Sequence, residues 1–242
     1  MAPLPGLAEL VSTRAYTCTT LLGVDDLSAN ERSAVPEWVL ESVAHEGPEG
    51  VVAATAHWED TLPGALDDAI RLFRDRAVGT SLGRVSGDWG GFLVLIYVLR
   101  GDTEPFVCWY GYLPTNHLDN RTEEESRPGE KTDLTQVSER LRAFYTQIHN
   151  RFRLIGAGEC GLAPLDELFT LEGEPDDFDH AEDIDPPAAD QLLPVFISSN
   201  GRLCVELGTE NAWLLNGASV EPVGELWPNI NAWIRRSTEA RL

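Results

Sequence analysis

The stretch Val195–Leu207, VFISSNGRLCVEL, decides the fold. Apolar residues stand on both sides of Ser198-Ser199-Asn200-Gly201, and Leu203, Val205 and Leu207 alternate with Cys204 and Glu206. Alternation with period two beside an Asn-Gly pair is the pattern of a β-hairpin, with Asn200-Gly201 expected to supply the tight turn. The pattern recurs in Ala212–Val223, AWLLNGASVEPV, around Asn216-Gly217. Two hairpins in succession make antiparallel strands.

Helical spacing brackets these hairpins. Upstream, Leu134, Val137, Leu141, Phe144, Tyr145, Ile148 and Phe152 fall on one apolar stripe, which predicts a helix capped by Thr132 or Asp133. Downstream, Leu226, Trp227, Ile230, Trp233 and Ile234 predict a terminal helix, with Arg235 and Arg236 toward its C-terminal end. Between them GAGECG (Gly156–Gly161) leads into LAPLDELFTL, a short apolar element of about one helical turn. Helix, short element, antiparallel strands and helix give an α+β fold, an antiparallel or mixed sheet with flanking helices.

The N-terminal portion reads as α/β. Glu37–Val43 and Val51–Trp58 are short apolar pieces separated by the breaker EGPEG. Pro63 is placed to open a helix whose apolar positions are Leu66, Ala69, Ile70 and Phe73, with Asp67 and Asp68 in the first turn, where the helix dipole favours them. Phe92–Leu99, FLVLIYVL, has no polar face, so it is expected as a central strand buried on both sides, joined through GDTEP to a second strand, Phe106–Leu113. Asp119–Lys131, DNRTEEESRPGEK, lacks large apolar residues and reads as a linker or surface loop. The expected division is 1–120, a charged linker 121–131, and 132–242.

Forty acidic residues against eighteen basic ones give a formal net charge of −22 and an isoelectric point near 4.4. That charge repels phosphate backbones and anionic membrane surfaces, so nucleic acid and membrane are not expected partners, and basic proteins are. The eight-residue FLVLIYVL is far short of the roughly 20 residues that span a bilayer. The N-terminal MAPLPGLAELV has neither a basic start nor a long apolar run, and the four cysteines form no C-x-x-C pair. Reduced, mostly buried thiols in a cytoplasmic protein are the expectation.

Three motifs invite a chemical reading. GAGECG has the G-x-G-x-x-G spacing, but a dinucleotide site needs a strand before it and a helix after it; here it is expected to end a helix and turn the chain, with no cofactor. Gly79–Gly83, GTSLG, has the spacing of a nucleophile elbow in reversed context, a helix before and a strand after, and His45, His57, His117, His149 and His180 are scattered. The tract Glu172–Asp190 is rich in carboxylates yet lacks the D-x-[DN]-x-[DN]-G loop, so no metal is expected there. A loop of carboxylates offered to a basic partner fits the overall charge better. The tryptophans Trp213, Trp227 and Trp233 are read as packing residues of the core, with interface anchoring as the alternative.

Residues 132–236 resemble SUKH superfamily domains. The resemblance lies in LRAFYTQIHN, in the glycine turn before GLAPLDELFTL, in VFISSNGRLCVEL, and in the closing EPVGELWPNINAWI. It implies a binding domain without catalysis, many bacterial members being immunity proteins that neutralise a cognate toxin, often a nuclease or deaminase. The expected contact region is Asp176, Asp177, Phe178, Asp179 and Asp183 of the acidic tract, with Asn200 and Arg202 of the hairpin. The alternatives are an enzyme with a site in the N-terminal part or in a cleft between the halves, and a scaffold subunit of a larger assembly.

Overall fold

A computed structural model describes residues 7–14, 18–87, 90–114, 134–156, 160–172 and 185–242. The fold is α+β: among these residues helices pack on one sheet of ten strands, each antiparallel to its neighbours and following chain order from edge to edge. Helix α1 (Leu7–Arg14) and strand β1 (Cys18–Leu22) are followed by α2 (Ala29–Ala34), α3 (Glu37–Ala44), α4 (Glu49–Thr61) and α5 (Asp67–Arg76). Three long strands come next: β2 (Ala77–Gly87), β3 (Gly90–Arg100) and β4 (Phe106–Tyr112). After the short helix α6 (Glu139–Ala143) run β5 (Arg151–Leu154), β6 (Gly161–Leu162), β7 (Leu192–Ser198), β8 (Gly201–Glu206), β9 (Asn211–Asn216) and β10 (Ser219–Glu225), and α7 (Leu226–Glu239) closes the chain.

Strand β3 explains why FLVLIYVL carries no polar face. Leu93, Leu95, Tyr97 and Leu99 point into the main core beneath the helices, while Val94, Ile96 and Val98 enter a second cluster on the opposite face with Leu7 and Val11 of α1. Side chains alternate across a strand, so a strand packed on both faces must be apolar at every position. The helical spacing of Ala69, Ile70 and Phe73 likewise holds, all three being buried on α5. That helix begins at Asp67, four residues after Pro63, and its first turn carries Asp67 and Asp68.

Other segments depart from the periodicity. Glu37–Val43 lies within α3 and Val51–Trp58 within α4, and EGPEG supplies both the turn and the start of α4. The stripe from Leu134 to Phe152 is no single helix. A turn of 3-10 helix (Leu134–Gln136) precedes α6, and Phe144–Ile148 is wound more widely, with the His149 amide donating to the Phe144 carbonyl at 2.9 Å. Phe152 then lies on β5, where Trp109 pairs with Leu154 and Gly111 with Phe152. A strand beside β4 offers Arg151–Leu154 a full set of backbone partners and sends Phe152 and Leu154 into the same core a helix would have reached. Thr132 and Asp133 lie outside the described residues.

Consequently GAGECG follows a strand rather than a helix. Gly156 (φ 79°) belongs to the turn after β5, residues 157–159 are outside the described set, and Gly161 opens β6. Gly161 has φ 147°, and a Cβ there would fall 2.1 Å from the Phe152 carbonyl oxygen, so only glycine fits this close strand contact. Neither hairpin turn coincides with its Asn-Gly pair: the first is set one residue earlier and the second one residue later. Ser198 pairs with Gly201, which leaves Ser199-Asn200 as the loop, and Asn216 pairs with Ser219, which leaves Gly217-Ala218.

Linker 121–131 falls outside the described residues. The elements on its two sides share one sheet, through β4 and β5, and one core, in which Trp58, Phe73 and Trp109 pack with Phe152, Phe144 and Trp227. No helix among the described residues is long and apolar enough to cross a membrane.

Candidate functional site

Two polar constellations and one charged surface are candidates for function. The first is buried. Gly111 on β4 lets the His149 ring lie flat against the strand, since a Cβ there would be 2.2 Å from ring atoms. The ring stacks on Phe152 at 5.4 Å and meets the edges of Trp58 and Tyr97. Nδ1 lies 3.2 Å from the Tyr112 carbonyl, which can only accept, so Nδ1 carries the proton. Nε2 therefore accepts from the Tyr97 hydroxyl at 2.8 Å. Burial pushes the His149 pKa down to about 3 and holds that of Tyr97 well above the usual phenol range. Both groups are neutral at pH 7, hydrogen-bonded to each other and, through Nδ1, to the Tyr112 carbonyl, and shut away from solvent at 0 % exposure. A pair in that condition ties β3 to the segment that leads into β5.

The second is a cleft of about 440 Å³ between the C-terminal half of α7, the end of β5 and the β7–β8 turn. Arg236 and Arg241 supply its charge, and Ser198, Ser199, Asn200 and Ser237 its neutral polar groups. Leu154 and Trp233 give it an apolar wall, with Trp233 braced edge-on against Phe196 at 5.3 Å. Arg241 is tied down by donating to the Gly156 carbonyl at 3.0 Å. Within the cleft the Cys160 thiol donates to Ser237 Oγ at 3.2 Å. Burial raises the pKa of this thiol, more than its hydrogen bond with Ser237 and the charges of Arg153 and Arg241 lower it. Cys160 is thus a thiol at neutral pH and lacks the thiolate character of a nucleophile.

The third is the acidic helical layer. Between Val24 and Asp75 the sequence holds twelve carboxylates against three arginines, an excess of nine. Each arginine already faces a carboxylate of the same layer: Arg32 with Asp25 at 3.9 Å, Arg71 with Asp68 at 3.1 Å and Arg74 with Glu59 at 2.9 Å. At the edge of the layer Glu31 accepts from the Ser28 amide and hydroxyl and from Arg84, which together bring its pKa down to about 2. Trp38 of α3 and His57 of α4 stack at 4.6 Å between the two helices, both half-buried, and Val52 is the exposed large apolar side chain of the described residues.

Of the residues expected at the contact region, Asp176, Asp177, Phe178, Asp179 and Asp183 lie outside the described residues. Asn200 is exposed at the rim of the cleft. Arg202 stands two residues further on, half-buried on β8 and opposite Ile197 and Leu215. Ser81 of GTSLG sits mid-strand on β2, paired with Ile96, rather than on a strand-to-helix elbow. Among the described residues no group of three or more His, Cys, Asp or Glu gathers as a metal site. The cleft itself was not legible in the sequence, because Cys160, Asn200, Trp233 and Arg241 are far apart along the chain. Arg235 and Arg236 beside Ser237 were its one local signal. No protein-family model matches the chain, and no curated protein or solved structure matches it either.

Proposed function

We propose that this chain is a non-catalytic cytoplasmic protein that binds a basic protein partner, and that it serves as an immunity factor neutralising a cognate toxin by direct contact. The observation that carries the reading is the charge of the helical layer. Its arginines are satisfied internally, so its excess carboxylates face outward and favour a cationic surface. Such complementarity mainly raises the association rate and rejects wrong partners, while a few apolar or aromatic anchors supply affinity. Trp38 and Val52 are anchors of that kind on α3 and α4, and Phe178 is one in the acidic tract. The toxin-neutralising role itself draws on the resemblance of residues 132–236 to SUKH superfamily domains.

Co-expression with the product of the adjacent gene tests the proposal, scoring growth rescue and co-purification. The expected result is both together, with complex formation weakening as salt rises. Reversing the charges of Asp176, Asp177 and Asp179 is expected to slow association and flatten the salt dependence. Rescue without a complex would count against direct neutralisation, and unchanged low-salt binding would reduce the acidic tract to a solubilising loop.

A further inference from the structure

The chain carries 40 acidic residues and 18 basic ones, yet among the described residues the cleft at the end of α7 is lined by two arginines and by no carboxylate. Chance placement on so acidic a protein would favour the opposite. From this local reversal of charge we propose that the cleft is a binding site for a small aromatic phosphate monoester, its phosphate meeting Arg236 and Arg241 and its ring lying against Trp233 and Leu154. The proposal is independent of the partner-binding reading.

Four features fit that ligand. Among the described residues Arg236 makes no ion pair, although Arg235 beside it bonds to Asp68 at 3.8 Å and to Glu239 at 3.4 Å. A guanidinium presents a planar fork of N–H donors that suits phosphate oxygens, and two of them match a doubly charged head group. The hydroxyls of Ser199 and Ser237 and the Asn200 amide add neutral donors around the same space. Trp233 and Leu154 provide a wall that solvates a ring better than water does. Its volume, about 440 Å³, falls in the range of roughly 300–1,000 Å³ usual for small-molecule sites. The C-terminus of α7 brings roughly half a negative charge nearby, which two full positive charges exceed.

A plainer role for Arg236 is interaction with the last carbonyls of α7, which would help stability and bind nothing. Calorimetric titration of the full chain separates the two. Phenyl phosphate is expected to bind at one site per chain, more tightly than inorganic phosphate, whereas phenol gives no saturation. Arg236→Gln is expected to weaken phenyl phosphate about tenfold or more, the usual worth of a charge-assisted contact. Trp233→Leu should weaken phenyl phosphate and leave inorganic phosphate unaltered. Because Trp233 also braces Phe196, a second variant guards against misfolding: Ser199→Asp, on the exposed turn, puts a carboxylate into the cleft and should abolish binding with unchanged thermal unfolding. The proposal is overturned if wild-type protein gives no saturable heat with phenyl phosphate, if phenyl and inorganic phosphate bind alike, or if Arg236→Gln and Ser199→Asp bind as wild type does.

Discussion

Replacing His149 by glutamine tests how far the buried polar pair governs stability. The His149 ring is fully buried, and its pKa falls from 6.5 to about 3 because burial disfavours the imidazolium, with His57 adding a smaller push in the same direction and the Tyr112 carbonyl opposing it. The unfolded chain therefore takes up a proton near pH 6.5 that the folded chain refuses until about pH 3. Stability from this group is fully present above pH 6.5 and declines as the pH falls through that window. The slope is about 1.4 kcal/mol per pH unit, so the loss is about 2 kcal/mol by pH 5. That is a large share of the roughly 5–15 kcal/mol that holds a typical domain together. A glutamine amide can donate to the Tyr112 carbonyl and accept from the Tyr97 hydroxyl, but it cannot titrate. Urea unfolding at about pH 7.5 and about pH 5 should show the wild type losing about 2 kcal/mol more than His149→Gln, since other titrating groups contribute alike to both chains. In the folded protein the His149 ring signals in NMR should stay in the neutral form across the same range. A ring that titrates near pH 6.5, or equal acid losses in the two proteins, would refute the reasoning.

Two further substitutions probe local devices. Gly161→Ala would place a Cβ against the Phe152 carbonyl oxygen, and it is expected to cost roughly 1–3 kcal/mol, read as a fall of several degrees in thermal unfolding. Glu31→Gln weakens both the capping box of α2 and the contact with Arg84, at about 1 kcal/mol near neutral pH. Because the Glu31 carboxyl titrates near 2 rather than 4.5, its contribution is present above pH 4.5 and lost toward pH 2, so the deficit of the variant should shrink over that window.

Much of the candidate chemistry was legible only in outline. His149 appears in sequence as one of five scattered histidines, and nothing local says that Gly111, 38 positions earlier, clears the space for its ring. Asn200 was marked as exposed turn chemistry, and it is exposed; that it rims a cleft with Arg236 and Arg241 depends on α7 folding back beside the β7–β8 turn.

What the residues determined alone is what repeats within a few positions. Alternation and the two turns announced β7–β10, the both-faces apolar run announced β3 as a central strand, and the spacing of Ala69, Ile70 and Phe73 announced α5. The net charge, too, needs no fold to be read. Tertiary structure decided what depends on distant partners. Phe152 continues a helical period in the sequence, yet it sits on β5 because β4 offers its backbone a ladder of hydrogen bonds. Gly161 of GAGECG likewise opens β6 rather than a helix, set by how closely it must approach Phe152. Periodicity records which side of an element is apolar; backbone pairing and close packing, which no local window contains, select the element.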